Sequence, residues 1–272
     1  MGGHITRTEK EVQYAIPNDE IENDRLDLQH AVFGLTIDGK LFLAPAKPIH
    51  NCLDVGTGTG IWAIDFADEH PESQVVAIDL SPIQPTNIPP NLRFIIDDAE
   101  DVWHYKQEFD LIHARMMVGS LADWDKFLDN CMRRLRPGGW IELQDVYTLG
   151  CDDDTLAEDA ALSRWWRLVG KAFDKMNRPM IIADKHKQRL INAGFVDVQE
   201  AVYKWPMNTW PRDKRLKNIG LFTRENTLQA LEALALAPLT RELGWSTGEV
   251  QVLLAKARED IKNPSVHAYW KM

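Results

Sequence analysis

An α/β fold, with a doubly wound and mostly parallel sheet covered by helices, is predicted for this chain from three observations. From residue 50 onward, short apolar runs alternate with amphipathic stretches, the rhythm of βαβ units. The run Val75-Val76-Ala77-Ile78 is too apolar for a strand with a solvated face. The run ending at Val55 leads straight into a glycine-rich turn, Asp54-Val55-Gly56-Thr57-Gly58-Thr59-Gly60, with a helical pattern behind it.

The elements follow in order. Residues 1–17 are polar. Asn18-Asp19 offers a helix cap, and Leu26, His30, Phe33 and Ile37 recur at helical spacing, so they share one face. Gly34 and Gly39 weaken and end that helix, and Pro45 and Pro48 mark a linker. Strands are predicted at 50–55, 74–79, 92–96 and 109–113, with a helix at 61–67. Leu121, Trp124, Leu128, Cys131 and Leu135 trace an amphipathic helix that stops at Pro137-Gly138-Gly139, and a fifth strand begins at Trp140. Beyond it, Leu162, Trp165, Val169, Phe173 and Met176 form a helical stripe, and 184–193 is a helix stopped by Gly194. Residues 195–203 alternate like a strand and 266–270 form the last one. Helices are expected at 212–237 and 247–262, the second opened by the capping box Ser246-Thr247-Gly248-Glu249.

Composition narrows the function. The 272 residues include 31 Lys plus Arg against 41 Asp plus Glu, a net charge of −10, which argues against a protein that grips nucleic acid through its phosphates. The basic cluster near Lys204–Lys217, with Trp205 and Trp210 in it, reads as a solvated helix start or as an RNA-binding edge. Three cysteines without a CxxC suggest neither a disulfide framework nor a zinc ribbon, and eight histidines without paired ligand spacing suggest no metal site. No 18-residue apolar stretch predicts a membrane span, and the start lacks a signal-peptide core, so a cytoplasmic location is expected, with the nucleus as the alternative. Met1-Gly2-Gly3-His4-Ile5-Thr6 fits a loose myristoylation pattern and equally a flexible start.

The chemistry centres on the glycine turn. Its spacing is G-x-G-x-G, not the G-x-G-x-x-G of dinucleotide binders, and no G-x-x-x-x-G-K-[ST] occurs. Gly56, Gly58 and Gly60 let a ligand approach the backbone, and Asp54 and Thr57 flank the turn. Asp79 ends the second strand, where a carboxylate can accept both ribose hydroxyls of an adenosine; Leu80 can pack on the adenine. After the third strand, Asp98 with Ala99 can read the adenine amine, with Asp97 pointing the other way in extended chain.

With Phe109-Asp110-Leu111-Ile112-His113-Ala114-Arg115 and Leu135-Arg136-Pro137-Gly138-Gly139-Trp140, these motifs resemble the ordered set of class I S-adenosylmethionine-dependent methyltransferases, from about residue 50 to 146. Tyr14-Ala15-Ile16-Pro17-Asn18-Asp19 and Arg25-Leu26-Asp27-Leu28-Gln29-His30 resemble the fungal LaeA-like methyltransferases in particular, regulators of secondary metabolism and tailoring enzymes of biosynthesis.

The resemblance implies a seven-stranded Rossmann-like sheet with a C-terminal antiparallel hairpin (195–203 with 266–270) and S-adenosyl-L-methionine as cofactor. It divides the chain into an N-terminal lid segment, 1–49, and a methyltransferase domain, 50–272, with 204–265 as a helical cap. It brings His113 and Arg115 to the cofactor, Arg115 pairing with the methionine carboxylate or with an acid such as Asp54 or Asp145, and Tyr14 to the cofactor as part of the lid. His30 is the candidate base or substrate anchor, against the reading of a packing residue. Asp145 and Tyr147 are placed to meet substrate, a turn cap being the other reading of Asp145, and Trp205, Trp210 and Trp245 are candidate pocket walls. Trp165, Trp166 and Trp270 read as core. The region Leu143-Gln144-Asp145-Val146 lacks the Asn/Asp-Pro-Pro-Tyr/Phe motif of base-modifying enzymes. Methylation of an oxygen or nitrogen of a small molecule is therefore expected; a regulatory subunit working through protein partners is the alternative, and a dinucleotide-dependent oxidoreductase a third reading.

Overall fold

The computed structural model describes residues 20–272. Asn18-Asp19, Tyr14 and the Met1–Thr6 pattern lie outside the described residues. Five parallel strands, β1 (Asn51–Val55), β2 (Gln74–Asp79), β3 (Leu92–Ile96), β4 (Phe109–Arg115) and β5 (Leu135–Gln144), form one sheet in the order β3-β2-β1-β4-β5. The chain runs outward from β1 to β3 and returns to β4 on the other side of β1. The switch point between β1 and β4 is where an open α/β sheet binds ligands, at the carboxyl ends of its strands.

Alternation along the strands builds the two layers. Leu53, Val55, Val76, Ile78, Ile112 and Ala114 join the larger core, while Cys52, Val75, Ala77 and Leu111 face the other side with Trp62, Ala63, Phe66 and Ala67 of α2 (Ile61–Glu69). Helix α3 (Trp124–Arg134) is capped by Asp123, whose carboxylate accepts the Lys126 N–H.

Two expectations are corrected around β5. Pro137-Gly138-Gly139 lies inside the strand, not at a helix stop. The register jumps from Phe109↔Leu135 to Leu111↔Trp140, so the proline, which has no N–H, and Gly138, at φ +81°, occupy a bulge. The sheet also has five strands, not seven. After Gln144 the chain turns at Asp145, whose carboxylate accepts the Val118 N–H and meets His186 Nε2 at 3.1 Å. The next strand, β6 (Thr148–Gly150), pairs with β8 (Tyr269–Lys271), and β7 (Lys204–Pro206) flanks β8, giving a separate antiparallel sheet β6-β8-β7.

Residues 195–203 are not a strand. Phe195 donates its N–H back to Leu190 O, Tyr203 exchanges two backbone hydrogen bonds with Met272, and Val196 is 82% exposed, so the stretch has no neighbouring strand to pair with along its length. The terminal strand is likewise shorter than 266–270 suggested.

The helices of the second half are α4 (Ala161–Lys175), α5 (His186–Asn192), α6 (Lys214–Ala233), α7 (Leu236–Leu243) and α8 (Thr247–Lys262). The Ser246–Glu249 capping box opens α8, and Gly194, at φ +96°, follows α5. Helix α1 (Glu20–Thr36) packs on α6. Its end is tied down by Arg215 of α6, which donates to the Leu35 and Thr36 carbonyls left open by the helix terminus, and by the Trp205 indole N–H on Thr36 Oγ1 at 2.7 Å. No helix among the described residues is long and apolar enough to cross a membrane.

Candidate active site

The glycine turn is locked to β2 before any ligand is considered. The Gly56 and Thr57 N–H groups both donate to Ile78 O, and the Gly58 N–H donates to Asp79 Oδ2 at 2.8 Å. Asp79 Oδ1 accepts the Ser81 N–H at 2.9 Å. Gly56, Gly58 and Gly60 have φ of +69°, +56° and +84°. A Cβ at Gly56 would collide with Met117, and one at Gly60 with Phe94. One at Gly58 would meet only Leu26, at 3.4 Å, so Gly58 is the turn's open face. Gly60 stands behind it as the N-cap of α2.

Beneath the turn Asp54 accepts the Thr57 hydroxyl on Oδ2 at 2.6 Å and the His113 Nδ1–H on Oδ1 at 2.7 Å. The pairing follows from register, Asp54 standing opposite His113 across β1 and β4. The His113 ring lies on Trp62, centroids 3.6 Å apart and planes 4° from parallel, and its buried Nε2 has no partner.

Asp54, Gly56, Thr57, Gly58, Asp79, Leu80, Asp98, Ala99, His113 and Arg115 line one cavity at the strand ends. Burial pushes the Asp79 carboxyl up from its ordinary range, against the pull of the N–H groups of Ser81 and Gly58. Asp98 Oδ1 accepts the Glu100 N–H, while Asp97, which also lines the cavity, accepts the Tyr105 hydroxyl. Burial lowers Arg115 to about 10, opposed by Asp54 and Asp65, so it stays cationic at neutral pH. Its guanidinium lies 4.8 Å from the Phe33 ring centroid and donates to His30 Nδ1 at 3.1 Å. An arginine only donates, so His30 carries its proton on Nε2, 2.9 Å from Asp65 Oδ2. Burial, then Arg115, lowers the His30 pKa. Both ring nitrogens are engaged, and His30 lines neither this cavity nor the next.

A second cavity adjoins the first, sharing Leu26, Gln29, Gly58, Asp79, Met116 and Ser120 with it. Trp205, a candidate pocket wall, lines it. Trp165, Trp166 and Trp270, expected in the core, line it too. A helical stripe facing a cavity has the same sequence spacing as one facing a core, so nothing along the chain marked them. The other substrate candidates lie elsewhere. Trp210 is against His267 and donates to Ala268 O, and Trp245 lies under Arg164. Asp145 is held by Val118 and His186. Tyr147 packs under Lys271 and, with Asp145, lines a separate groove along β5. Among the described residues no group of three or more His, Cys, Asp or Glu could hold a metal ion.

The first cavity suits an adenosyl cofactor. Gly56 and Gly58, both at positive φ, line it, and both Asp79 oxygens are oriented by backbone donors with lone pairs to spare for a diol. Residues 28–200 match the model of the methyltransferase domain family, and the chain belongs to that family. It is an S-adenosylmethionine-dependent methyltransferase.

Its relatives are fungal. It is 40% identical over 258 residues to the methyltransferase pytC of Aspergillus terreus, covering 94% of this chain and 80% of that one. It is also 40% identical over 265 residues to the secondary metabolism regulator LAE1 of Cochliobolus heterostrophus, covering 94% and 86%. Among solved structures, phosphoethanolamine N-methyltransferase 2 of Haemonchus contortus with S-adenosyl-L-methionine is 19% identical, with a TM-score of 0.47, covering 92% of this chain and 51% of that one. This chain thus aligns with about half the length of that structure.

Proposed function

We propose that this enzyme transfers a methyl group to an oxygen or nitrogen of a small, secondary-metabolite-like molecule by in-line displacement. The observation that carries this reading is the second cavity, which adjoins the first along Gly58, Asp79 and Met116. S-adenosylmethionine supplies a methyl already activated on a sulfonium. The protein's work is to position the partners and exclude water, and in favourable systems holding reactants together supplies roughly 7–11 kcal/mol.

In this reading Asp79 holds the ribose hydroxyls, Asp98 and Ala99 read the adenine, and Leu80 packs on it. The turn from Gly56 to Gly60 takes the cofactor's close approach, with Asp54 and His113 supporting it from below. Arg115 holds the methionine carboxylate. His30 is a positioning residue for Arg115, with Asp65 behind it. Helix α1, with Leu26 and Gln29 on both cavities, acts as the lid, and α6, hydrogen-bonded to it through Arg25 and Asn226, closes the second cavity. Relatives named for methyl transfer and for regulation both match, so the nature of the acceptor is the point to test.

Metabolite profiles with the gene present and absent test it. A pair of compounds differing by one methyl group is expected, together with calorimetric binding of S-adenosylmethionine by the purified protein. Broad changes without such a pair would favour the regulatory alternative, and binding of NAD in place of S-adenosylmethionine would overturn the reading.

A further inference from the structure

The second cavity is an aromatic chamber with a specific polar deficit. Trp165, Trp166, Trp205 and Trp270 contribute its walls, Trp166 and Trp270 meeting edge to face at 4.7 Å. Three of the four indole N–H groups are satisfied within the protein: Trp165 donates to Leu231 O, Trp205 to Thr36 Oγ1 and Trp270 to Thr227 Oγ1. The Trp166 N–H is buried without a partner, although the residue is only 5% exposed. On the facing helix α1, Asn23 Oδ1 is also buried without a partner, and Asn23 lines the same chamber. Buried polar groups left unpaired are costly, and in a ligand chamber the missing partner belongs to the ligand.

The charges point the same way. Arg25 is bound through Nε and Nη2 to both carboxylate oxygens of Glu22, at 2.8 and 2.6 Å, and through Nη1 to Asn226 Oδ1 at 2.8 Å. The guanidinium is matched inside the protein and calls for no counter-ion from a ligand. Asp79, the other charged group on the lining, stands at the wall shared with the cofactor cavity.

We infer that the chamber binds an uncharged, planar aromatic acceptor that offers an oxygen to the Trp166 N–H and an N–H or O–H to Asn23 Oδ1. This rests on the methyl-transfer reading and names its substrate class. Flat walls of indole select a flat ring system, and the two unpaired atoms select its polar edge.

Calorimetry on the protein loaded with S-adenosylhomocysteine tests the inference with three probes that share a bicyclic aromatic frame. 2-Quinolone carries both a carbonyl and an N–H, naphthalene carries neither, and 2-naphthoate carries a charge. 2-Quinolone is expected to bind best, with naphthalene and 2-naphthoate at least about tenfold weaker. Trp166→Phe and Asn23→Leu are each expected to weaken 2-quinolone about tenfold, equivalent to 1.4 kcal/mol. S-adenosylhomocysteine affinity in each variant reports that the fold is intact, and Asn23→Leu, on a partly exposed helix, guards against a core defect in Trp166→Phe. Preference for 2-naphthoate, binding of none of the probes, or unchanged 2-quinolone affinity in both variants would overturn this inference while leaving the methyl-transfer reading intact. Failure of the wild-type protein to bind S-adenosylhomocysteine would instead strike that reading.

Discussion

In the cofactor cavity Asp79 takes its hydrogen bonds from the backbone of Gly58 and Ser81, the second only two residues away. Across the shared wall the chamber is tied by side chains from opposite ends of the chain: Arg25 reaches Asn226 over 201 residues, and Trp205 reaches Thr36 over 169. The first region is made of consecutive strand ends and their turns, so its geometry follows from the sheet. The second exists only where α1, α4, α6 and the small antiparallel sheet come together. A fault in the turn should therefore abolish cofactor binding, while a fault in the chamber should alter acceptor binding and stability and leave the cofactor in place.

The largest expected effect is on the turn. Gly58→Asp places a side chain at φ +56° and a second carboxylate beside Asp79. Calorimetry should show S-adenosylmethionine affinity falling by at least about 100-fold, or ~2.7 kcal/mol. Unaltered affinity would mean that the turn does not touch the cofactor.

Next comes Trp205→Phe. It removes the N–H bonded to Thr36 Oγ1 at the end of α1, leaving that hydroxyl still donating to Val32 O. Urea denaturation should show a loss of about 1–2 kcal/mol. Cofactor affinity should stay within about twofold; a larger drop would show that the two regions do not behave independently.

The smallest effect concerns His30, which sits outside both cavities between Arg115 and Asp65. Its folded pKa lies below the ordinary 6.5, so folding favours the neutral ring. Its contribution is complete above pH 6.5 and is lost as the pH falls from there through the lowered value. The unfolding free energy of the wild type in urea should therefore fall more between pH 7.5 and 5.5 than that of His30→Gln, by a difference within about 1 kcal/mol for so partly exposed a contact. Parallel pH profiles would remove His30 as the titrating link.

The parallel strands were readable because each is short, apolar and bounded by turn residues, and the residues lining the first cavity were readable because they stand at those boundaries. Asp54, Asp79 and Asp98 each follow or end a strand. The failures share one cause. The stretch 195–203 alternates as a strand does, but alternation says nothing of whether a neighbour is there to pair with it. Pro137-Gly138-Gly139 reads as a stop, yet a bulge absorbs it because the neighbouring strand can shift register around a residue with no N–H. Trp210 and Trp245 fall in the expected cap and are spent on His267 and Arg164, while Trp165, Trp166 and Trp270 are core as read and also wall the second cavity.

The order of residues alone thus determined the parallel sheet and which residues line the first cavity at its strand ends. Strand periodicity, positive-φ glycines and strand-end carboxylates act within a few residues of one another. Tertiary structure alone decided that the last strands form their own antiparallel sheet, that His30 braces Arg115, and that four tryptophans enclose a chamber with one unpaired indole N–H. Those outcomes depend on which surfaces meet across long stretches of chain, 85 residues between His30 and Arg115 and 169 between Thr36 and Trp205, and hydrophobic burial, being non-directional, sets no such pairing from spacing alone.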